Sequence, residues 1–438
     1  MSATTNTIPV TGIAEDSAAL KSAVRKFYVR MMPLVVIMLL VNQVDRTNLG
    51  FIQDALKADL GLGAAAFGLG AGLFFVGYAL FEVPSNMLLQ RYGARIWLTR
   101  IMVTWGLVTL LMAFTQGEYT FYFLRFMLGL MEAGFFPGVI FYLTSWLPDA
   151  HRGRAVAIFL SASALAYIVT GPISGALLTM HGMAGIAGWR WMFLIEGGGS
   201  MLMGLVSIRY LVSNIADAKW LTADEKHELQ SAVTRDITGR KTAQGEKPQW
   251  RLLLQRPVLT LCGIYFVSVM TGYTVTFWLP GILRQIKDIN DFQVGLLSSI
   301  PWIGAVIAMY VLAKFTDDKG HRKVLVGAAL LLQAVGMALA TTGSPWFALF
   351  ALTLAAIGYK SCNSVFWSMT AMSLEPKILA SGIALINSLG NLGGFVAPTA
   401  VGAIKQHTGS LQAGLLGLTA CSLIGMVLVA SLRLRKGV

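Results

Sequence analysis

The sequence predicts an all-α polytopic membrane protein: twelve transmembrane helices in two six-helix, pseudo-repeated bundles. Three observations carry that expectation. Of the 438 residues only 13% are charged and 55% are hydrophobic, with a mean hydropathy of +0.66. A soluble domain carries about 25% charged residues, so the solvent here is lipid. Apolar runs of about 20 residues, long enough to span roughly 30 Å of hydrocarbon, recur about twelve times. One long hydrophilic stretch, 213–254, divides the chain near its middle.

In order, residues 1–26 read as a polar cytoplasmic tail with no cleavage site after a short apolar core, hence no signal peptide. Six apolar runs begin near Phe27, Phe67, Ile96, Tyr119, Arg154 and Trp189 and form an N-terminal bundle over 27–212. The central segment 213–254 contains WLTADEKHELQSAV, where Thr222 and Glu225 have the spacing of a capping box opening a short amphipathic helix. Runs beginning near Pro257, Val294, Val324, Trp346, Leu379 and Leu411 form a C-terminal bundle over 255–433, followed by a cytoplasmic tail, 434–438. Forty-six glycines suit the close backbone approach of helices in lipid.

The net charge of +13 invites a nucleic-acid reading, which its placement argues against. With the N-terminus inside, eighteen Lys and Arg residues, from Lys21 to Lys436, fall on cytoplasmic segments. Five (Lys57, Arg190, Arg284, Lys287 and Lys405) fall opposite. That bias is an orientation signal placing both termini in the cytoplasm. Cys262, Cys362 and Cys421 lie in apolar runs without CxxC spacing and read as packing residues. No metal site or cofactor is implied.

Internal similarity supports two halves. QRYGAR at Gln90–Arg95 follows the second run and DDKGHR at Asp317–Arg322 the eighth, with Gly93 and Gly320 at an offset of 227. GPISGALL around Pro172 parallels APTAVGAI around Pro398 at an offset of 226. Two pairs at nearly one offset point to a duplicated half.

Charges inside the apolar runs locate the function. Asp45, Arg46, Arg125, Glu132 and Lys360 all stand at bilayer depth, where an ionisable side chain costs about 2.5–3.5 kcal/mol on insertion scales. Such residues mark a pathway for something charged. Helical periodicity groups Gln43 and Arg46 with Asp45 beside them, Tyr78 with Glu82, Arg125 with Glu132, Lys360 with Trp367, and Asn387 with Asn391. Each has a structural alternative. Asp45 and Arg46 can neutralise each other, Arg125 can bridge Glu132, Lys360 can snorkel to an interface, and the asparagines can join helices. Tyr78 and Trp367 can simply pack. Glu82, near a cytoplasmic loop, reads as a gate residue. With Glu132 paired to Arg125 and Asp45 compensated locally, Arg46 and Lys360 are left unbalanced, and a carboxylate substrate would supply the missing charge.

Four strings narrow the reading: DRTNLGF at Asp45–Phe51, GYALFEVPSN at Gly77–Asn86, LRFMLGLMEAGFFPG at Leu124–Gly138 and ALINSLGNLGGFVAP at Ala384–Pro398. Together they are similar to the anion:cation symporter family of the major facilitator superfamily, the group of phthalate, tartrate, hydroxyphenylacetate and sugar-acid permeases. The resemblance runs from about Phe27 to Leu432. It implies a major facilitator fold and proton coupling on Asp45 and Glu132, with Arg125 nearby. It also implies a substrate cavity holding Arg46, Tyr78, Trp367 and Asn387, to which the residue stripes add Lys360, Gln43 and Asn391. The superfamily's loop signature survives in part as Arg91, Gly93 and Arg95, with Gln90 where an acid is expected, and as Asp317, Gly320 and Arg322. These are candidate gating residues. Gln43 stands where sugar-acid permeases often have Tyr, which weakens a sugar-acid assignment.

The expected function is proton-coupled import, across the bacterial inner membrane, of a small organic anion, either an aromatic acid or a short di-acid. The partners are that anion, protons and the bilayer, and a monomer is expected. The alternative within transporters is an exporter or antiporter of organic compounds, since GPISGALL resembles exchanger motifs. A polytopic enzyme would need a convergent catalytic set, and His151, His181, His227, His321 and His407 all lie in or beside loops.

Overall fold

A computed structural model describes residues 17–243, 253–319, 321–374 and 378–432. Every regular element among them is helical. In the N-terminal half these are α1 (Ala18–Arg30), α2 (Met32–Thr47), α3 (Gln53–Leu60), α4 (Ala64–Tyr92), α5 (Ala94–Met112), α6 (Glu118–Glu132), α7 (Phe135–Trp146), α8 (Asp149–Leu178) and α9 (Gly188–Tyr210). After α10 (Ala223–Ala243) come α11 (Arg256–Leu283), α12 (Asp291–Lys319), α13 (Arg322–Leu339), α14 (Pro345–Ser373), α15 (Leu379–Asn391), α16 (Gly393–Thr408) and α17 (Leu411–Ser431). The side chain of Asp317 is not described, and Gly320 and the closing tail lie outside the described residues.

Among the described residues, eleven helical segments are long and apolar enough to cross a membrane. The helices α15 and α16, of 13 and 16 residues, are each too short alone and together have the length of one more crossing. Between them the ladder tightens into i→i+3 bonds, Leu392 N to the Leu389 carbonyl and Phe395 N to the Leu392 carbonyl. The cause is a glycine-rich stretch, where the absent side chains let other helices crowd in. A Cβ on Gly393 would meet the Phe266 carbonyl at 2.5 Å.

Two other crossings also break. In the first, helix begins at Ala18 with the polar α1, and the apolar α2 passes through a 3₁₀ turn, Asn48–Ile52, into α3. The fourth ends α6 at Glu132; Ala133 is extended and Gly134 takes φ +88°, a left-handed conformation that favours glycine, before α7 begins. Pro137 then sits in the first turn of α7, where its missing N–H has no helical partner to lose.

Side chains such as Leu80, Met87, Leu202, Leu205 and Val427 are more than half exposed, an outward apolar coat that suits lipid. Inside each half the same packing recurs, α5 against α9 and α13 against α17. The halves meet through α4 against α16 and α8 against α12. A Cβ on Gly68 would lie 2.2 Å from the Pro398 carbonyl, and one on Gly171 would lie 2.2 Å from the Gly295 carbonyl. Both approaches lie toward one end of the molecule. At that end Arg284 donates to the Phe51 carbonyl (2.6 Å) and to Asp291 (2.8 Å), with Asp54 at 3.6 Å.

The capping box forms as read. Glu225 N donates to Thr222 Oγ1 (3.3 Å) and Thr222 N donates to Glu225 Oε2 (2.9 Å). Lys26 and Ser22 of α1 also donate to the Glu225 carboxylate. Hydrogen bonds from Lys26, then Ser22, then the Thr222 backbone hold that carboxyl down at about 2, so α10 stays clasped to α1 by a charged group throughout the neutral range.

Candidate functional site

Two of the three broken points carry the site. Arg46 lies in the last turn of α2, just before the 3₁₀ turn, and Glu132 is the last residue of α6. Ending both helices here brings the two side chains together. Arg46 Nε donates to Glu132 Oε1 at 3.0 Å, and Nη2 bonds the same oxygen. Glu132 Oε2 is buried without a protein partner. The Glu132 side chain is 1% exposed and that of Arg46 is 16% exposed, so the guanidinium is the member of the pair that a ligand can reach. Its Cζ lies 4.9 Å from the Tyr78 ring and 5.1 Å from the Phe74 ring, a cation–π setting that replaces some of the lost hydration.

These rings reach Arg46 because α4 and α6 touch backbone to backbone. A Cβ on Gly129 would be 1.9 Å from the Phe74 carbonyl, and one on Gly77 would be 2.3 Å from the Phe126 carbonyl. The same closeness settles Arg125. It does not pair with Glu132, as their shared stripe suggested. Its Nε donates to the Gly70 carbonyl (3.2 Å) and its Nη2 to that of Ala71 (3.4 Å). Gly70 and Gly129 bring α4 so near that its carbonyls are the first acceptors Arg125 meets. Nor does Asp45 pair with Arg46, since adjacent residues on a helix diverge. Asp45 Oδ2 accepts from Thr109 of α5 at 2.7 Å, and Oδ1 is buried without a partner.

Glu196 of α9 was not foreseen. It is 9% exposed, accepts from Asn48 Nδ2, and has Oε1 buried without a partner. It lies within electrostatic reach of Asp45. The signal was present: LIEGGG interrupts an apolar run with an acid, as the other buried charges do. With Glu196 counted, the buried charges named here are Asp45, Glu132 and Glu196 against Arg46, Arg125 and Lys360. The expected surplus of cations is therefore absent, and any case for an anion rests on geometry.

Lys360 of α14 does not snorkel. Its Nζ lies 4.5 Å from the ring of Tyr167, 5.4 Å from Tyr359 and 6.0 Å from Trp302, with no ion pair among the described residues. Tyr167 belongs to the N-terminal half and is also within electrostatic reach of Arg46, so one phenol neighbours both cations. Tyr273 of α11 likewise reaches Arg46. Gln43 donates to Ser163 at 3.3 Å.

Trp367 packs on Tyr265 (4.9 Å) and Phe366 (5.2 Å). Asn387 and Asn391 are half-buried and make no hydrogen bond among the described residues. Glu82 is half-buried one turn beyond Tyr78 on α4. Of the loop residues, Arg91 and Arg95 are exposed, and Gly93 takes φ +82°. Arg95 Nε donates to the Ile208 carbonyl at 2.6 Å and its N–H to Ser213 at 3.1 Å, contacts to the end of α9 and the chain that leaves it. Arg322 touches Met372 of α14.

The sequence profile of the Major Facilitator Superfamily matches residues 35–398, and again 261–437. The chain belongs to the major facilitator superfamily. It is a multi-pass membrane transporter, not an enzyme. Relatives of the expected permease type are among those it resembles. A protein of Agrobacterium vitis named "Putative tartrate transporter" is 42% identical over 405 residues, 92% of this chain and 90% of that one. The inner membrane transport protein RhmT of Escherichia coli is 33% identical over 97% of this chain and 98% of its own length. A quinolone resistance transporter of Acinetobacter baumannii is 41% identical, over 93% and 94%. Among solved structures, the inward-open xylose transporter XylE of E. coli superposes with a TM-score of 0.73 at 15% identity, over 93% of this chain and 97% of that one, which shows the shared fold.

Proposed function

We propose that the chain imports a small organic carboxylate with protons, by alternating access across a bacterial inner membrane, with both termini in the cytoplasm. The observation that carries this reading is the Arg46–Glu132 pair. Two guanidinium donors converge on a single carboxylate oxygen, so Glu132 holds the position that a substrate carboxylate would take on Arg46. A proton on Glu132 removes its charge and frees the guanidinium. The incoming carboxylate then offers the planar, two-oxygen geometry that arginine favours. When the proton leaves, Glu132 reclaims Arg46 and the substrate is expelled.

Asp45, buried beside the pair, is the second proton-carrying candidate, and Arg125 sets the field around both. Lys360, across Tyr167 from Arg46, supplies a second cation for a di-acid. Gln43, Tyr78, Trp367, Asn387 and Asn391 form the remaining wall. Relatives named as tartrate transporters at 42% identity favour a short di-acid over an aromatic acid. The orientation follows the Lys and Arg bias. Glu82, the turn at Arg91, Gly93 and Arg95, and the residues Asp317, Gly320 and Arg322 serve as gating elements.

The test is uptake of labelled tartrate and a panel of di-acids into proteoliposomes in sodium-free buffer. An inside-alkaline gradient should drive accumulation and a protonophore should abolish it. Accumulation that survives the protonophore contradicts proton symport. The quinolone-resistance relative favours a second reading, export by proton antiport, under which an inside-acidic gradient would drive accumulation instead.

A further inference from the structure

Away from Arg46, a cavity of about 1360 Å³ opens on the face of the N-terminal half that carries α1. The α1–α2 junction, the α4–α5 turn and the chain leaving α9 enclose it. Arg30, Arg91, Arg95, Arg209 and Lys219 line it, with Asp217 as the one acid in the lining. All five cations are exposed, and none makes an ion pair among the described residues. Arg95 uses its Nε on the Ile208 carbonyl. Asp217 is itself engaged by Asn214, whose Nδ2 donates to it at 3.0 Å. The cationic face is therefore open.

The rest of the lining is different in kind. Ile37, Ile96 and Ile208 border the same cavity and are 47%, 56% and 42% exposed. Tyr92 and Tyr210 stand with them, as amphipathic rings do at the level of lipid head groups. A cluster of cations continuous with an exposed apolar rim on a membrane helix bundle matches a molecule with an anionic head and hydrocarbon tails. A small soluble anion would have no use for the rim.

The loop signature adds a sequence argument. Gln90 lines the cavity and stands where the signature expects an acid. A carboxylate there would oppose any anion, and this chain lacks it.

We propose that this cavity binds an anionic phospholipid, its phosphate among Arg30, Arg91, Arg209 and Lys219 and its acyl chains along Ile37, Ile96 and Ile208. Basic pockets at the ends of transmembrane helices favour such head groups. Arg46 is not in the lining, and the proposal holds whether or not protons drive transport.

The test is native mass spectrometry of the purified full-length protein with phosphatidylglycerol or phosphatidylcholine of identical chains. The unmodified protein should favour phosphatidylglycerol by at least about tenfold. Gln90→Asp, which leaves every cation in place, should reduce that preference several-fold, and Arg91→Gln with Arg209→Gln should bring it near parity. Lys21→Gln with Arg25→Gln, exposed cations of α1 outside the cavity, should keep it. If the double arginine variant fails to fold, Gln90→Asp decides. No preference in the unmodified protein, or an unchanged preference in Gln90→Asp and the arginine variant, overturns the proposal. So does competition by millimolar inorganic phosphate as effective as that by the lipid, which would mark a small-anion site.

Discussion

Arg46 meets one oxygen of Glu132 with two donors and leaves the other oxygen buried and unpartnered. Breaking a buried pair from one side strands a charge, which costs about 3–5 kcal/mol. Arg46→Ala should therefore abolish carboxylate binding as well as transport, measured by equilibrium binding to the purified protein. Arg46→Lys should rescue little, because a point charge cannot reproduce the planar fork; near-normal affinity in Arg46→Ala would make the arginine structural. At this scale the sequence revealed which residues are charged in lipid and misled about their partners. The stripe joining Arg125 to Glu132 is real, since both stand on α6. It says nothing of α4, whose carbonyls lie close enough to claim Arg125. Glu196 was legible by the same criterion as Lys360, a charge within an apolar run, whereas its contact with Asn48 depends on how α2 crosses α9.

Among the elements, the contact of α4 with α6 holds the binding geometry. Gly129 has no room for a side chain, a Cβ there falling 1.9 Å from the Phe74 carbonyl. Gly129→Val should push the helices apart, cost about 1–3 kcal/mol of stability, and draw Tyr78 away from Arg46. Its unfolding temperature in detergent should fall and carboxylate affinity should fall with it. A variant with unchanged unfolding temperature would mean that the packing is looser than these distances indicate. Eleven crossings and their order were readable from apolar runs, because span length is set by the bilayer. The breaks were not. EAGFFPG and NLGGFVAP carry Gly and Pro, but many unbroken helices here do too, among them α4 with Pro84 and α8 with Pro172. Crowding alone does not separate them, since Gly77 and Gly171 are as crowded within unbroken helices; α6 stops where Gly134 takes φ +88° against Ser85.

For the whole molecule, the repeat seen as paired loops and paired proline motifs corresponds to helices that pack alike in both halves, α5 with α9 and α13 with α17. The backbone contacts between halves, Gly68 on Pro398 and Gly171 on Gly295, involve the positions around which the sequence repeat was found. What the sequence could not supply was the way the halves share the site. Tyr167 from one half stands beside Lys360 of the other, and Tyr273 reaches across to Arg46, so rocking the halves would remake the cation environment. The central claim is that a proton on Glu132 exchanges that carboxylate for the substrate's on Arg46. Glu132→Gln fixes the uncharged form, and the most direct measurement compares two fluxes of this variant in one proteoliposome preparation. The account predicts that exchange of labelled for unlabelled carboxylate persists while net accumulation under an inside-alkaline gradient is lost. Accumulation by Glu132→Gln against a gradient, as strong as that of the unmodified chain, would contradict it.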